Sequence, residues 1–228
     1  MADAARERLS RERVLAAAVD FTDRNGLDAV SMRRLAAELG VVPMALYKHV
    51  ADKQALLDGM ADLVLSGLGP IRPEPDWRTT VRGRILAARQ LLLRHPWLRR
   101  VLETRPQQTP TMLGYLDGLI AVFREAGFSD VLTHHVMHAM GSRAWGFTQE
   151  LFDDPDAAAP PPAPEVLAQL AAAFPNVAAM ASASAHQGDS VVGRGCDDQF
   201  EFEFSLDLLL DGIARLQAAG WQPPSARD

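Results

Sequence analysis

The chain has 228 residues, enough for one large domain or a small one joined to a larger one, and with 48% apolar residues it can bury a sizeable core. The single Cys196 excludes a disulfide framework and any multi-cysteine zinc site, and no apolar run is long and clean enough to span a bilayer. The net charge of −6 argues against an anionic partner until it is divided: residues 1–53 hold nine Lys or Arg and eight Asp or Glu, residues 54–228 hold 14 and 21, and both lysines of the chain, Lys48 and Lys53, fall in the first part.

The amino-terminal MADAARERLSRER is charged and carries no signal-peptide core, so a cytoplasmic location is expected. A first helix is predicted over 11–25, with Val14, Leu15, Ala18 and Phe21 on one face and Gly26 as its stop. The stretch SMRRLAAELGVVPMALYKHVADK, residues 31–53, then reads as two short helices, 31–39 and 43–49, joined by a tight turn. Ser31 is a good N-cap. Leu35, Ala36 and Leu39 form a buried stripe, and Gly40 sits where the chain must reverse at positive φ. Val41 plugs the turn into the core, and Pro43 suits the first turn of the next helix. Leu46 and Val50 face inward, which leaves Met44, Ala45, Tyr47, Lys48 and His49 outside.

That is the pattern of a helix-turn-helix whose second helix enters the DNA major groove. Met44 and Ala45 suit thymine methyls, Tyr47 can donate to a phosphate, and Lys48 and His49 suit phosphates or base edges. Arg33, on the first helix, can reach a guanine at the groove edge. Asp52 caps the following helix and puts Lys53 near the DNA backbone. Ser31, Arg33, Pro43, Met44, Ala45, Tyr47, Lys48, His49 and Lys53 are the expected DNA-facing set. A plain helical hairpin in a bundle would not need small residues beside an exposed Tyr-Lys-His run. The acidic remainder of the chain would turn this end toward DNA.

Further helices are predicted over 52–68 (Leu56, Leu57, Met60 and Leu63 inward), 77–94, 97–103, 109–126 and 130–151, with a Pro-rich break at 69–76. Residues 153–164, DDPDAAAPPPAP, are a linker. An Ala-rich helix is expected over 165–183, a polar loop over 186–195 and a last helix over 200–219. No strand pattern competes, so the predicted fold is all-α: a three-helix DNA-binding head (1–53) on a larger helical domain (54–228) for ligand binding and dimerisation. The last helix has more apolar surface than one face needs, from Phe200, Phe202, Phe204, Leu206, Leu208, Leu209, Leu210, Ile213 and Leu216. That excess suggests a partner helix from a second copy, forming an intermolecular four-helix bundle with 130–151.

Two opposed readings are weaker. An enzyme would need a Gly-rich phosphate loop, a nucleophile elbow or paired carboxylates; VGRG at 192–195 follows no strand. An interaction adaptor without DNA activity would not explain Arg33, Lys48 and Lys53. His134 and His138 share a face with His135 nearby, but no carboxylate completes a site, so neither metal nor cofactor is expected.

The segment AAAVDFTDRNGLDAVSMRRLAAELGVVPMALYKHVADKQALLDGM closely resembles the head of the TetR family of bacterial transcriptional repressors. The resemblance implies a homodimer on a palindromic operator, with Arg33, Pro43, Met44, Ala45, Tyr47, Lys48, His49 and Lys53 facing DNA. The remainder resembles the tetracycline-repressor branch through Trp77, Thr104-Arg105-Pro106, Gly127-Phe128-Ser129, Glu150 and the ending FEFSLDLLLDGIARL. That branch holds a magnesium–tetracycline chelate through polar side chains at positions that are Val101, Gly69, Ser142 and Leu119 here. Val, Gly and Leu supply neither ligand bonds nor hydrogen bonds, so tetracycline is not the expected ligand, although Thr104, Arg105 and Glu150 remain. The expected inducer pocket is apolar with a few polar groups. Its candidates are Trp97, Val101, Thr104, Arg105, Met112, Tyr115, Leu116, Leu119, Met137, His138, Met140, Ser142, Trp145 and Glu150.

Overall fold

A computed structural model describes residues 8–105, 107–146, 163–183 and 198–223. Among these the protein is all-helical, with no strand. The helices are α1 (Arg11–Asn25), α2 (Met32–Glu38), α3 (Pro43–Leu46), α4 (Lys53–Ser66), α5 (Trp77–Arg94), α6 (Trp97–Glu103), α7 (Pro110–Glu125), α8 (Asp130–Gly146), α9 (Pro164–Ala173), α10 (Pro175–Ala183) and α11 (Asp198–Ala218), with a 3-10 turn at Leu27–Ala29. The all-α expectation holds. Contacts group the chain into two compact units, the first ending at Thr133 and the second beginning at His134.

In the first unit the helices start where side chains can cap them. Ser10, Ser31, Asp52, Asp76 and Thr109 each accept a hydrogen bond from a backbone N–H three residues on. Two ends close in the same way. At Gly40 (φ +65°) the N–H of Gly40 donates to Ala37 O and that of Val41 to Ala36 O; at Gly127 (φ +82°) the N–H of Gly127 donates to Arg124 O and that of Phe128 to Phe123 O. This pair of bonds requires a left-handed residue after the helix, which glycine adopts without a Cβ penalty. The apolar contact that accompanies the motif is present at the second site, where the Phe123 and Phe128 rings lie 5.1 Å apart.

The main core joins the head to its support. Val14, Leu15, Ala18, Leu35, Ala36, Leu46 and Val50 cluster with Met60, Ala61 and Val64 of α4 and with Trp97, Leu98 and Val101 of α6. Helices α1 and α4 meet at Gly59, where a Cβ would stand 2.7 Å from Leu15 Cδ2. The Asp23 carboxylate of α1 accepts from Trp97 Nε1 at 2.6 Å and pairs with His95 Nδ1 at 2.9 Å. A second apolar group forms around Trp77, whose ring lies 5.5 Å from Phe123 and 5.0 Å from Phe128.

In the second unit α11 carries two apolar faces. Phe202, Leu206, Leu210 and Ile213 are buried, while Phe200, Phe204 and Leu208 are more than half exposed. His134, His135 and His138 are exposed, with the His134 and His138 rings 4.6 Å apart.

Several boundaries differ from expectation. The helix predicted over 43–49 stops at Leu46, because both His49 N–H and Val50 N–H turn back to Leu46 O and tighten the chain. The single helix over 165–183 is two, since Pro175 removes a donor and pushes Phe174 out of the helical region, to φ −131° and ψ 65°. Pro164, placed in the linker, is instead the first residue of α9, a position that does not use its missing N–H. Leu63 is 39% exposed, and Gly59, Ala61 and Val64 take the inward positions. The end of the 130–151 helix, linker residues 153–162 and the 186–195 loop lie outside the described residues.

The α1–α4 approach at Gly59 gives a direct test. Gly59→Val should destabilise the protein by about 1–3 kcal/mol, because the branched side chain must push Leu15 out of a packed core. Urea denaturation of the two proteins would measure it, and an unchanged midpoint would count against the close approach.

Candidate nucleic-acid interface and ligand cavity

The turn between α2 and α3 sets which side chains are presented. Ser31 Oγ accepts from Arg34 N–H at 3.2 Å and so fixes the start of α2; it is a half-buried cap, not a free contact. Leu46 and Val50 anchor the second element at 0% and 3% exposure. With that side held, Pro43, Met44, Tyr47 and Lys48 are exposed, and Ala45 and His49 are half-buried. Arg33 on α2 and Lys53 in the first turn of α4 are exposed on either side. Arg33, Lys48 and Lys53 have no ion pair among the described residues. The nearby acids are engaged elsewhere: Glu38 pairs with Arg24 at 2.7 Å, and Asp52 accepts from Ala55 N–H at 2.7 Å. Sequence reasoning missed Val42, which is 68% exposed at the N-cap of α3 and adds an apolar contact beside Met44. Its position between Val41 and Pro43 was a usable signal, because adjacent residues at a tight turn cannot both face the core.

Within the first unit, the residues expected to line an inducer pocket stand in different surroundings. Trp97 and Val101 belong to the core under the head, because α6 packs on α4 and Trp97 is tied to Asp23. Arg105 is likewise drawn off: its guanidinium is 1% exposed, Nη2 donates to Asp58 O at 2.9 Å and Asp62 Oδ1 at 3.2 Å, and Nε lies 3.3 Å from Asp58 Oδ1. Thr109 Oγ1 adds a bond to the same Asp62 oxygen at 2.6 Å. Arg105 therefore clamps the end of α6 to α4. The Thr104 hydroxyl donates back to Arg100 O at 2.7 Å. Met112 and Leu119 are buried on α7, Leu116 and Met137 are half-buried, Met140 is buried and His138 is exposed. Ser142 and Trp145 lie on α8 with side chains outside the described residues, and so does Glu150 altogether.

A cavity of about 480 Å³ does occur in the first unit, shifted from the expected place. It is lined by Leu65 and Ser66 of α4, by Gly69, Pro70, Ile71 and Pro73 of the break, by Arg84 of α5, and by one face of α7 including Gly114, Tyr115 and Gly118. Of the expected residues only Tyr115 reaches it. Arg84 was missed; the available signal was a basic residue between Val81 and Ile85, both buried on the inward side of α5.

Residues 14–60 match the model of the bacterial regulatory proteins of the tetR family, and residues 69–216 match that of the tetracyclin repressor-like C-terminal domain. The chain belongs to the TetR family. Among TetR-type relatives, the HTH-type transcriptional repressor DrrR1 of Streptomyces coeruleorubidus is 36% identical over 128 residues, which cover 54% of this chain and 46% of DrrR1. The chain spans about half the length of the curated relatives it matches first. Streptomyces coelicolor ActR, solved in complex with actinorhodin, superposes with a TM-score of 0.68 at 26% identity, over 91% of this chain and 98% of that one. BioQ, solved with its natural double-stranded DNA operator, gives 0.60 at 26% identity, over 91% and 99%. Among the described residues no helix is long and apolar enough to cross a membrane, and no group of three or more His, Cys, Asp or Glu side chains is placed to hold a metal ion.

The clamp can be separated from a ligand contact by stability alone. Arg105→Met should cost about 2–4 kcal/mol without any ligand present, because it strands Asp58 and Asp62 beside a buried apolar chain. A thermal melt of the unliganded variant checks this, and a wild-type melting temperature would return Arg105 to the ligand set.

Proposed function

We propose that this TetR-family chain is a cytoplasmic transcriptional repressor that binds a palindromic operator as a homodimer and leaves it on binding a small apolar or amphipathic molecule other than tetracycline. The observation that carries the proposal is the split at the second helix of the turn: Leu46 and Val50 are locked in the core while Met44, Tyr47 and Lys48 stand outside, flanked by Arg33 and Lys53. A rigid element that offers apolar, hydroxyl and cationic groups together suits a major groove, where phosphate contacts position and base contacts specify. The operator complex of BioQ supports the DNA partner, and the name of DrrR1 supports repression. In this proposal the head is 1–53 and the larger region is 54–228. No catalytic residue, metal or cofactor is assigned.

The dimer draws support from α11. Its exposed Phe200, Phe204 and Leu208 form a second apolar face, with the two phenyl rings stacked 6.4 Å apart; an apolar stripe opposite a buried one calls for a partner helix. Two heads so held would meet successive major grooves about 34–36 Å apart, or a multiple of that. Coupling runs along α4. Lys53 begins this helix, Asp58 and Asp62 tie its middle to Arg105, and Leu65 and Ser66 border the cavity about 18 Å from Lys53 at 1.5 Å per residue. A ligand that prefers a shifted α4 changes the spacing of the heads by its differential affinity, typically about 1–3 kcal/mol.

Binding to the palindrome nearest the chain's own gene, titrated over salt, tests the proposal. The double variant Tyr47→Ala, Lys48→Ala should bind at least about 100-fold more weakly and show a shallower salt slope by about 1 per lost phosphate contact, while eluting as a dimer. Wild-type binding with no sequence preference at low salt would favour an adaptor role instead.

A further inference from the structure

Arg84 stands in a cavity lined mostly by apolar and small residues, with Asp117 and Glu125 exposed along it. Its guanidinium has five N–H donors, yet among the described residues it makes one hydrogen bond, from Nη1 to Leu68 O at 2.8 Å, and its buried Nε has no partner. It lies 5.0 Å from the centroid of the Tyr115 ring. Burial lowers the Arg84 pKa below the usual arginine value and raises that of Tyr115 above the usual phenol value. The pair is therefore a poorly hydrated cation beside a phenol that stays protonated, two donors with donor capacity in reserve. An acceptor entering the cavity meets a guanidinium whose donors are not all used.

The walls define the rest of the ligand. Gly114 leaves the α7 wall bare beside Tyr115, since a Cβ there would meet nothing within 4 Å; at Gly118 the Ile71 side chain already packs on the helix, its Cδ1 3.1 Å from where a Cβ would stand. The bare wall at Gly114, in a cavity that Pro70, Pro73 and Val122 also line, suits a flat apolar body, and about 480 Å³ holds a drug-sized molecule. Charge limits the polar part. Among the described residues Arg84 is the only basic one lining the cavity, and Asp117 and Glu125 are exposed along it, so a second negative group would meet carboxylates there.

We infer that this cavity takes a flat, largely apolar molecule bearing a single anionic group, a carboxylate or an ionised phenol, with Arg84 as its counter-ion and Tyr115 beside it. The inference rests on the larger region being a small-molecule receptor and names the ligand class for it. It differs from a metal-chelate site in needing no ion.

The test compares anthracene-2-carboxylate with its neutral carboxamide, by fluorescence titration of the full-length protein without DNA. Wild type should bind the acid about tenfold more tightly than the amide. Arg84→Gln should lose that preference by weakening the acid while leaving the amide within about twofold. Gly114→Leu, which fills the bare wall without touching Arg84, should weaken both by about tenfold or more. It locates the site even if Arg84→Gln fails to fold, which circular dichroism would show. Equal affinity of acid and amide for wild type, no saturable binding of either, a preference that survives in folded Arg84→Gln, or indifference of both probes to Gly114→Leu would each overturn the assignment. Operator release is measured separately: acid that binds through Arg84 yet leaves the operator complex intact overturns the inducer mechanism and leaves the ligand class standing.

Discussion

The head of this protein does not close over a core of its own. Leu35, Leu46 and Val50 belong to one buried cluster with Met60, Ala61 and Val64 of α4 and with Trp97, Leu98 and Val101 of α6. Each large side chain in that layer contributes about 1.5–3 kcal/mol relative to exposure, so the two support helices cannot move far without opening the head. The ties at the edge follow the same route. Asp23 receives Trp97 Nε1–H and pairs with His95, and Arg105 bonds α6 back to α4 through Asp58 and Asp62. The exposed Arg100–Asp28 pair on the same side adds little, since screened surface pairs contribute about 0–1 kcal/mol.

This arrangement turns the support into a transmission element. Helix α4 has a head residue at one end, a clamped middle and a cavity wall at the other. A packed helix of 14 residues shifts as a unit, because sliding past Leu15 at Gly59 or past Arg105 trades one set of close contacts for another. In the proposed mechanism this helix carries what happens beside Leu65 and Ser66 to Lys53.

Most helix positions were legible from the sequence because the stops are chemical. Ser31, Asp52 and Thr109 announce starts, Gly40 and Gly127 announce ends, and the 97–103 helix was located between Pro96 and Thr104 to the residue. The exposed side of the second element was legible for the same reason, since the fixed turn decides which residues of 43–50 face out. Neighbouring structure decided the rest. Trp97 and Val101 have the same period whether α6 covers the head or lines a pocket, and only the Asp23 tie distinguishes the two. Arg105 reads as a ligand group in the sequence because its carboxylate partners lie more than 40 positions earlier. Arg84 reads as a surface residue until the glycines of α7 are brought opposite it. Pro175 could have been recognised as the break in the 165–183 helix; the long alanine run around it concealed a rule that was available.

The distribution of lysine has a practical side. Only Lys48 and Lys53 carry a side-chain amine, and both are exposed at the helix-turn-helix end. Amine-directed acylation would strip charge from that end and spare the arginine-rich remainder. A sensor chip loaded by amine coupling would grip the molecule at Lys48 and Lys53, beside the turn, so immobilisation through a tag suits this chain better.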